Sequence, residues 1–146
     1  MNKKIIFGSD HGGVELKNSL IQYAKTKGFE VIDLGPENGL TPVSYAIQGH
    51  NVAKEVLKDK ANLGIAICGT GLGISYALNR HKGIRAARCT SIEDAHLASL
   101  HNNANVLVFG GRQTSEEQAK KMFDEWVNTE YEGGRHQARI EQIDEF

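Results

Sequence analysis

Three short apolar runs that lead into glycine limit what this chain can fold into more than any other feature. They are Ile5-Ile6-Phe7-Gly8, Leu63-Gly64-Ile65-Ala66-Ile67 and the stretch 104–109, which ends Val106-Leu107-Val108-Phe109. None alternates cleanly between apolar and polar, so each reads as a strand buried on both faces. Between them apolar residues recur at helical spacing. Leu16, Leu20, Ile21 and Ala24 do so within 14–27, and Ala46, Val52, Ala53 and Val56 within 45–58. Further helices are predicted from the glycine-rich turn to about residue 80 and over 94–101, 116–128 and 137–143. Shorter strands are predicted over 31–34 and, more weakly, 84–88. The segment 35–44 reads as a loop, interrupted by Gly39 and Pro42. Doubly buried strands alternating with amphipathic helices predict an α/β fold, a five-stranded parallel sheet covered on both faces and followed by a C-terminal helix.

With 146 residues, the chain suits one domain spanning 1–146. A formal net charge of −1 gives no broad basic surface, so no nucleic-acid partner is expected. No apolar run reaches the roughly 18–20 residues that cross a bilayer, so no membrane partner is expected either. The opening MNKKIIFGSD lacks the apolar core of an export signal, which predicts a cytoplasmic protein with reduced thiols. The two cysteines, Cys68 and Cys89, form no CxxC pair and no spacing with histidine typical of structural zinc.

In open parallel sheets ligands bind beyond the carboxyl ends of the strands. Those ends carry Asp10-His11, then Cys68-Gly69-Thr70-Gly71-Leu72-Gly73, then Gly110-Gly111-Arg112. Glycines between a strand and a helix let the backbone bend and aim its N–H groups at an oxyanion, where the helix dipole adds positive charge. The pattern is neither a dinucleotide fingerprint nor a Walker loop, and Ile74 stands where a Cys-x5-Arg phosphatase loop would need arginine. Thiols at a helix N-terminus are better bases than free ones, which singles out Cys68, whereas Cys89 reads as packing. Asp10-His11 suits sugar hydroxyls and proton movement. His101-Asn102-Asn103 closes a helix and offers directed donors and acceptors. Arg135 and Arg139 share a helix face behind Gly133-Gly134 and could grip a phosphate, with Arg112 a third cation. Each segment also has a plainer reading. The glycines could serve a tight turn, Cys68 the core, Asp10 a helix cap and His101-Asn102-Asn103 a C-cap, and the arginines could pair with Glu141 or Asp144. His136 lies near the arginines, and no role follows for it or for His50, His81 and His96.

Together the segments GSDHGG, EVIDLG, AICGTGLGIS, GIRAA, HNNANVLVFGGR and EYEGGRHQARI resemble the ribose-5-phosphate isomerase B family, in order and over nearly the whole chain. That family also includes galactose-6-phosphate isomerase subunits and allose-phosphate isomerases. The resemblance implies a three-layer Rossmann-like fold, no metal or nucleotide, and interconversion of ribose 5-phosphate and ribulose 5-phosphate. It implies a homodimer with shared active sites that can pair into a tetramer. By the same resemblance Cys68 is the base at C2, His101 the proton donor for ring opening, and Thr70 a further catalytic residue. Gly69, Gly71, Leu72 and Gly73 form the enediolate pocket, Asp10 and His11 touch the sugar, and Asn102, Arg112, Arg135 and Arg139 bind substrate, the arginines chiefly its phosphate. The galactose-6-phosphate subunits generally lack the GGRHxxR ending kept here, which favours the pentose. The family's acidic Tyr-Pro stretch is replaced by Leu40-Thr41-Pro42-Val43-Ser44-Tyr45, and Ser9 stands where a cysteine is common. An isomerase of six-carbon sugar phosphates and a non-catalytic phosphosugar-binding protein remain alternative readings.

Overall fold

A computed structural model describes residues 3–146. Five strands, β1 (Lys4–Ser9), β2 (Glu30–Asp33), β3 (Leu63–Cys68), β4 (Ala86–Arg88) and β5 (Val106–Gly110), form one sheet in the order β2-β1-β3-β5-β4. Every pairing is parallel. Among the described residues six α-helices cover it: α1 (Val14–Thr26), α2 (Tyr45–Val56), α3 (Leu72–Asn79), α4 (Ile92–Leu100), α5 (Glu116–Asn128) and α6 (Arg135–Ile143).

The apolar runs of the three inner strands divide their residues between two layers, because successive side chains leave a strand on opposite faces. Ile5, Phe7, Ile65, Ile67, Leu107 and Phe109 pack on one side with Leu20 of α1, Ala95 of α4 and Phe123 of α5. Ile6, Ala66, Cys68, Val106 and Val108 pack on the other with Val52 of α2 and Ile74 and Leu78 of α3. Cys68 therefore faces the same layer as α3, the helix that begins just after it.

Boundaries differ from the sequence reading where side-chain caps decide them. Helix α4 begins at Ile92 rather than 94, since Ser91 Oγ accepts from the Asp94 N–H at 3.0 Å. Helix α6 begins at Arg135 rather than 137, directly behind two left-handed glycines. Strand β4 covers 86–88 only, because the Arg85 N–H is taken by the Asn105 side chain at 2.8 Å. The strand expected at 104–109 starts at Val106.

The segment 35–44 holds no helix or strand, as expected, yet it is tethered. Its Gly35 carbonyl accepts from the Ser9 N–H and from Gln48 Nε2, and the fully buried Lys17 grips Asp33 at its entrance. No helix among the described residues is long and apolar enough to cross a membrane.

Candidate active site

The turn after β3 is built from backbone. Gly71 takes φ 81°, a conformation that costs residues with a Cβ, and a Cβ there would stand 3.1 Å from the Phe109 carbonyl. That left-handed step starts α3 and points the Gly71 N–H at Cys68 Sγ, 3.2 Å away. The first-turn N–H groups of α3 have no acceptor within the helix, so they face the same mouth. Thr70 Oγ1 accepts from the Leu72 N–H at 3.2 Å and holds the turn closed.

Arg112 completes this edge. Its N–H donates to the Gly69 carbonyl at 3.0 Å, and its guanidinium lies so close over Gly69 that a Cβ there would be 2.8 Å from Nη1. The neighbouring turn is tied in as well: the Gly111 N–H donates to the Cys68 carbonyl, and the Asp10 N–H to the Ile67 carbonyl. Asp10 does act as a cap, with Oδ1 accepting from the Gly12 N–H at 2.9 Å, and it is buried at the same edge. His11 Nδ1 accepts from the Val43 N–H at 3.2 Å, so a neutral ring carries its proton on Nε2. Asp10, His11, Cys68, Gly69, Thr70, Gly71, Leu72, Gly73 and Arg112 thus gather at the carboxyl edge of the sheet.

His101, Asn102, Arg135 and Arg139 do not join them. Helix α4 leaves the carboxyl end of β4 and returns to the start of β5, so His101 and Asn102 sit at the amino edge. The Glu132 N–H donates to the Leu100 carbonyl there, and Asp144 at the end of α6 accepts from the N–H of Gly83, just before β4. Strands of five or six residues rise about 3.3 Å per residue, so the two edges stand on the order of 15–20 Å apart. A groove of about 530 Å³ along β4 includes Asn102, Arg88 and Cys89 but neither Cys68 nor the glycine turn. The plainer alternative, pairing of Arg135 and Arg139 with Glu141 or Asp144, is absent among the described residues; Arg135 instead lies 3.4 Å from Glu132.

Four residues were missed by the sequence reading. Arg88 donates from Nε to the Thr70 carbonyl at 2.8 Å and from Nη2 to Gln113 Oε1 at 2.9 Å, bracing the turn from β4. Its position at a strand's carboxyl end was the available signal. The Tyr45 ring covers Gly73, where a Cβ would collide with it. His136 stacks on His101 with ring centroids 4.4 Å apart, and Glu132 Oε2 lies 3.8 Å from His101 Nε2. Nothing local in the sequence signals these last two contacts.

Ligand atoms of His101, Glu132 and His136 fall within 4.8 Å of one another. The two imidazoles are only 18° from parallel, so their in-plane lone pairs run side by side instead of converging on one point, as a chelated ion requires. Cys89 is inert by burial, which pushes its thiol up to about 12, with Asp94 adding to the effect.

The sequence pattern of the family described as Ribose/Galactose Isomerase matches residues 5–143. This chain belongs to that family. It is 44% identical to ribose-5-phosphate isomerase B of Escherichia coli (strain K12) over 97% of this chain and 94% of that protein. Its fold superposes with a TM-score of 0.96 on the crystal structure of a ribose 5-phosphate isomerase RpiB from Thermotoga maritima, 43% identical, with both chains covered fully. A Mycoplasma genitalium ribose-5-phosphate isomerase B, solved with bound ribulose-5-phosphate, is similar at a TM-score of 0.92 and 41% identity, covering 96% of this chain and 93% of that one. These family members share the three-layer α/β architecture described above.

Proposed function

We propose that the whole chain, as one catalytic domain, interconverts ribose 5-phosphate and ribulose 5-phosphate through a cis-enediolate. The observation that carries this reading is the Cys68 sulfur, 3.2 Å from the Gly71 N–H at a glycine turn overlain by Arg112. In the open-chain aldose, Cys68 takes the C2 hydrogen as a proton. The C2–H electron pair forms the C1–C2 double bond, and negative charge passes to O1. The proton then returns to C1, the O2 hydroxyl proton moves to O1, and a ketone is left at C2. A positioned base contributes about 10²–10⁴-fold and a well-placed oxyanion donor about 10²–10³-fold, and this turn supplies both. Asp10 and His11 hold the sugar hydroxyls, and Thr70 keeps the turn in register.

The reading includes a second copy of the chain. His101, for opening the sugar ring, and Asn102, Arg135 and Arg139, for holding the substrate and its phosphate, are at the opposite edge from Cys68, so one chain alone leaves the site incomplete. A partner copy brings its amino edge over this chain's carboxyl edge. In support, Tyr45 and Ile47 of α2 and Leu72 and Tyr76 of α3 leave an exposed apolar strip beside the glycine turn, with Tyr76 65% exposed. Isologous pairing would give two such sites per dimer. We place the enzyme in the cytoplasm, in keeping with two free thiols.

Incubation with ribose 5-phosphate in heavy water tests the reading. Ribulose 5-phosphate carrying deuterium at C1 is the expected product. Binding with neither exchange nor product would make the protein a phosphosugar binder. Faster turnover of allose or galactose 6-phosphate in competition would move the assignment to six carbons.

A further inference from the structure

The cluster beside His101 has no part in the reading above, yet it contains a buried group with an unmet demand. His136 is 9% exposed, and its Nε2 has no hydrogen-bond partner. Buried polar atoms are rarely left unpaired, so a ring kept in that position is held there by something other than its own hydrogen bonding. What it touches is the His101 ring, stacked at 4.4 Å and 18°. Glu132 Oε2 lies 3.8 Å from His101 Nε2. His101 itself ends α4, where its backbone N–H is held by the Leu97 carbonyl at 2.9 Å, and its side chain is one-third exposed. The helix fixes the backbone of His101, but nothing in the helix fixes its ring. His136 covers one face of that ring, and the Glu132 carboxylate lies beside its Nε2 edge.

We infer that His136 and Glu132 are positioning residues that hold the His101 imidazole at the angle needed to deliver a proton to the sugar ring oxygen. The inference deepens, and rests on, the isomerase reading and the ring-opening role of His101. The charge pattern agrees with it. Burial, then Arg135 and His101, push the His136 imidazole down from its ordinary value, while Glu132 opposes them and Arg139 adds a smaller push. The same influences favour the neutral form of the ring that rests on His101. Glu132 also meets Arg135 at 3.4 Å, so it ties the proton donor to the phosphate-binding pair.

The chemistry of the two substrates separates positioning from general damage. Ribose 5-phosphate exists mainly as a closed ring and must be opened before Cys68 can act. Ribulose 5-phosphate cannot close a five-membered ring, because the oxygen it would use carries the phosphate. Exchange of its C1 hydrogen in heavy water thus needs Cys68 and the phosphate grip but no ring-opening acid. His136→Ala should slow ribose 5-phosphate turnover by about tenfold to a hundredfold, while C1 exchange from ribulose 5-phosphate stays within about twofold of the parent protein. His136→Phe, which keeps a flat face over His101 and cannot accept or carry a proton, should restore ribose 5-phosphate turnover to within about threefold. Equal loss in both assays would mean that His136 only supports the fold, and no loss in either would mean that His101 needs no such support; each overturns the inference. Failure of His136→Phe to rescue would also overturn it, by showing that stacking is not what matters. A parent protein that exchanges no hydrogen from either sugar would instead overturn the isomerase reading itself, an outcome distinct from these.

Discussion

The two edges of the sheet present their polar groups with opposite materials. The carboxyl edge is mostly backbone. Glycines at 69, 71, 73, 110 and 111 bring peptide groups close together, and Cys68 is 3% exposed within them. The amino edge is mostly side chain. His101, Glu132 and Arg135 stand one-third to two-thirds exposed on helix ends and on the approach to α6. Backbone groups at strand ends are held by the sheet and need little help to stay in place. Long side chains at helix ends keep their rotamer freedom until something covers them, and ordering them costs entropy. The difference gives the proposed two-chain site two unlike halves: a rigid one around Cys68 and an adaptable one around His101 and Arg135.

The largest expected effect lies on the rigid half. Cys68→Ala should fold normally and lose about 10²–10⁴-fold in C2 hydrogen exchange, read by proton NMR in heavy water. Retention of most of the exchange would remove the sulfur from the chemistry. Next comes a test of whether the halves belong to different chains. Cys68→Ala and the double variant Arg135→Ala, Arg139→Ala should each be nearly inactive. Co-expressed in equal amounts they should recover roughly a quarter of the parent activity, because half of the random dimers are hybrids with one intact site of two. No recovery in verified hybrids would place both halves in one chain.

Smaller effects compare the stiffness of the edges. Gly71→Ala faces both a left-handed φ of 81° and a backbone contact at 3.1 Å, and should cost about 1–3 kcal/mol of stability in urea unfolding. Gly133→Ala meets φ 71° in open space, and should cost only about 1 kcal/mol. Equal losses would contradict the contrast drawn between the edges.

The last effect, confined to alkaline pH, concerns Cys89, the buried thiol that follows β4. Its thiol ionises near 9.0 when unfolded and only near 12 when folded, so between those values the folded chain holds the extra proton. Its contribution to stability is complete below the lower value and is lost as pH rises towards the upper one. Cys89→Ala should therefore unfold with a shallower alkaline decline, by about 2 kcal/mol between about pH 8 and about pH 10.5.

Much of the carboxyl edge could be read from residues alone. Asp10, Cys68 and Arg112 each follow an apolar run, and in a parallel sheet all such runs end on one side. Helix α5 had its full extent because its apolar stripe, Ala119, Met122, Phe123 and Trp126, coincides with a capping Ser115. Arg88 escaped notice because β4 is only three residues long and carries little pattern. His136 and Glu132 escaped because their contacts to His101 depend on where α5 ends and on residues 129–134 passing the end of α4, where the Glu132 N–H meets the Leu100 carbonyl.

What the sequence determined was the alternation of doubly buried strands and one-sided helices, and with it the edge that receives Cys68 and its glycines. Those features are local: a run of apolar side chains has to be covered on both faces, and a glycine turn follows wherever such a run stops. Tertiary structure alone decided that His101, Arg135 and Arg139 lie at the opposite edge of the sheet from Cys68, and that a second histidine rests on the first. These are meetings between segments far apart in the chain, set by the direction in which each helix runs back along the sheet rather than by any pattern within a segment.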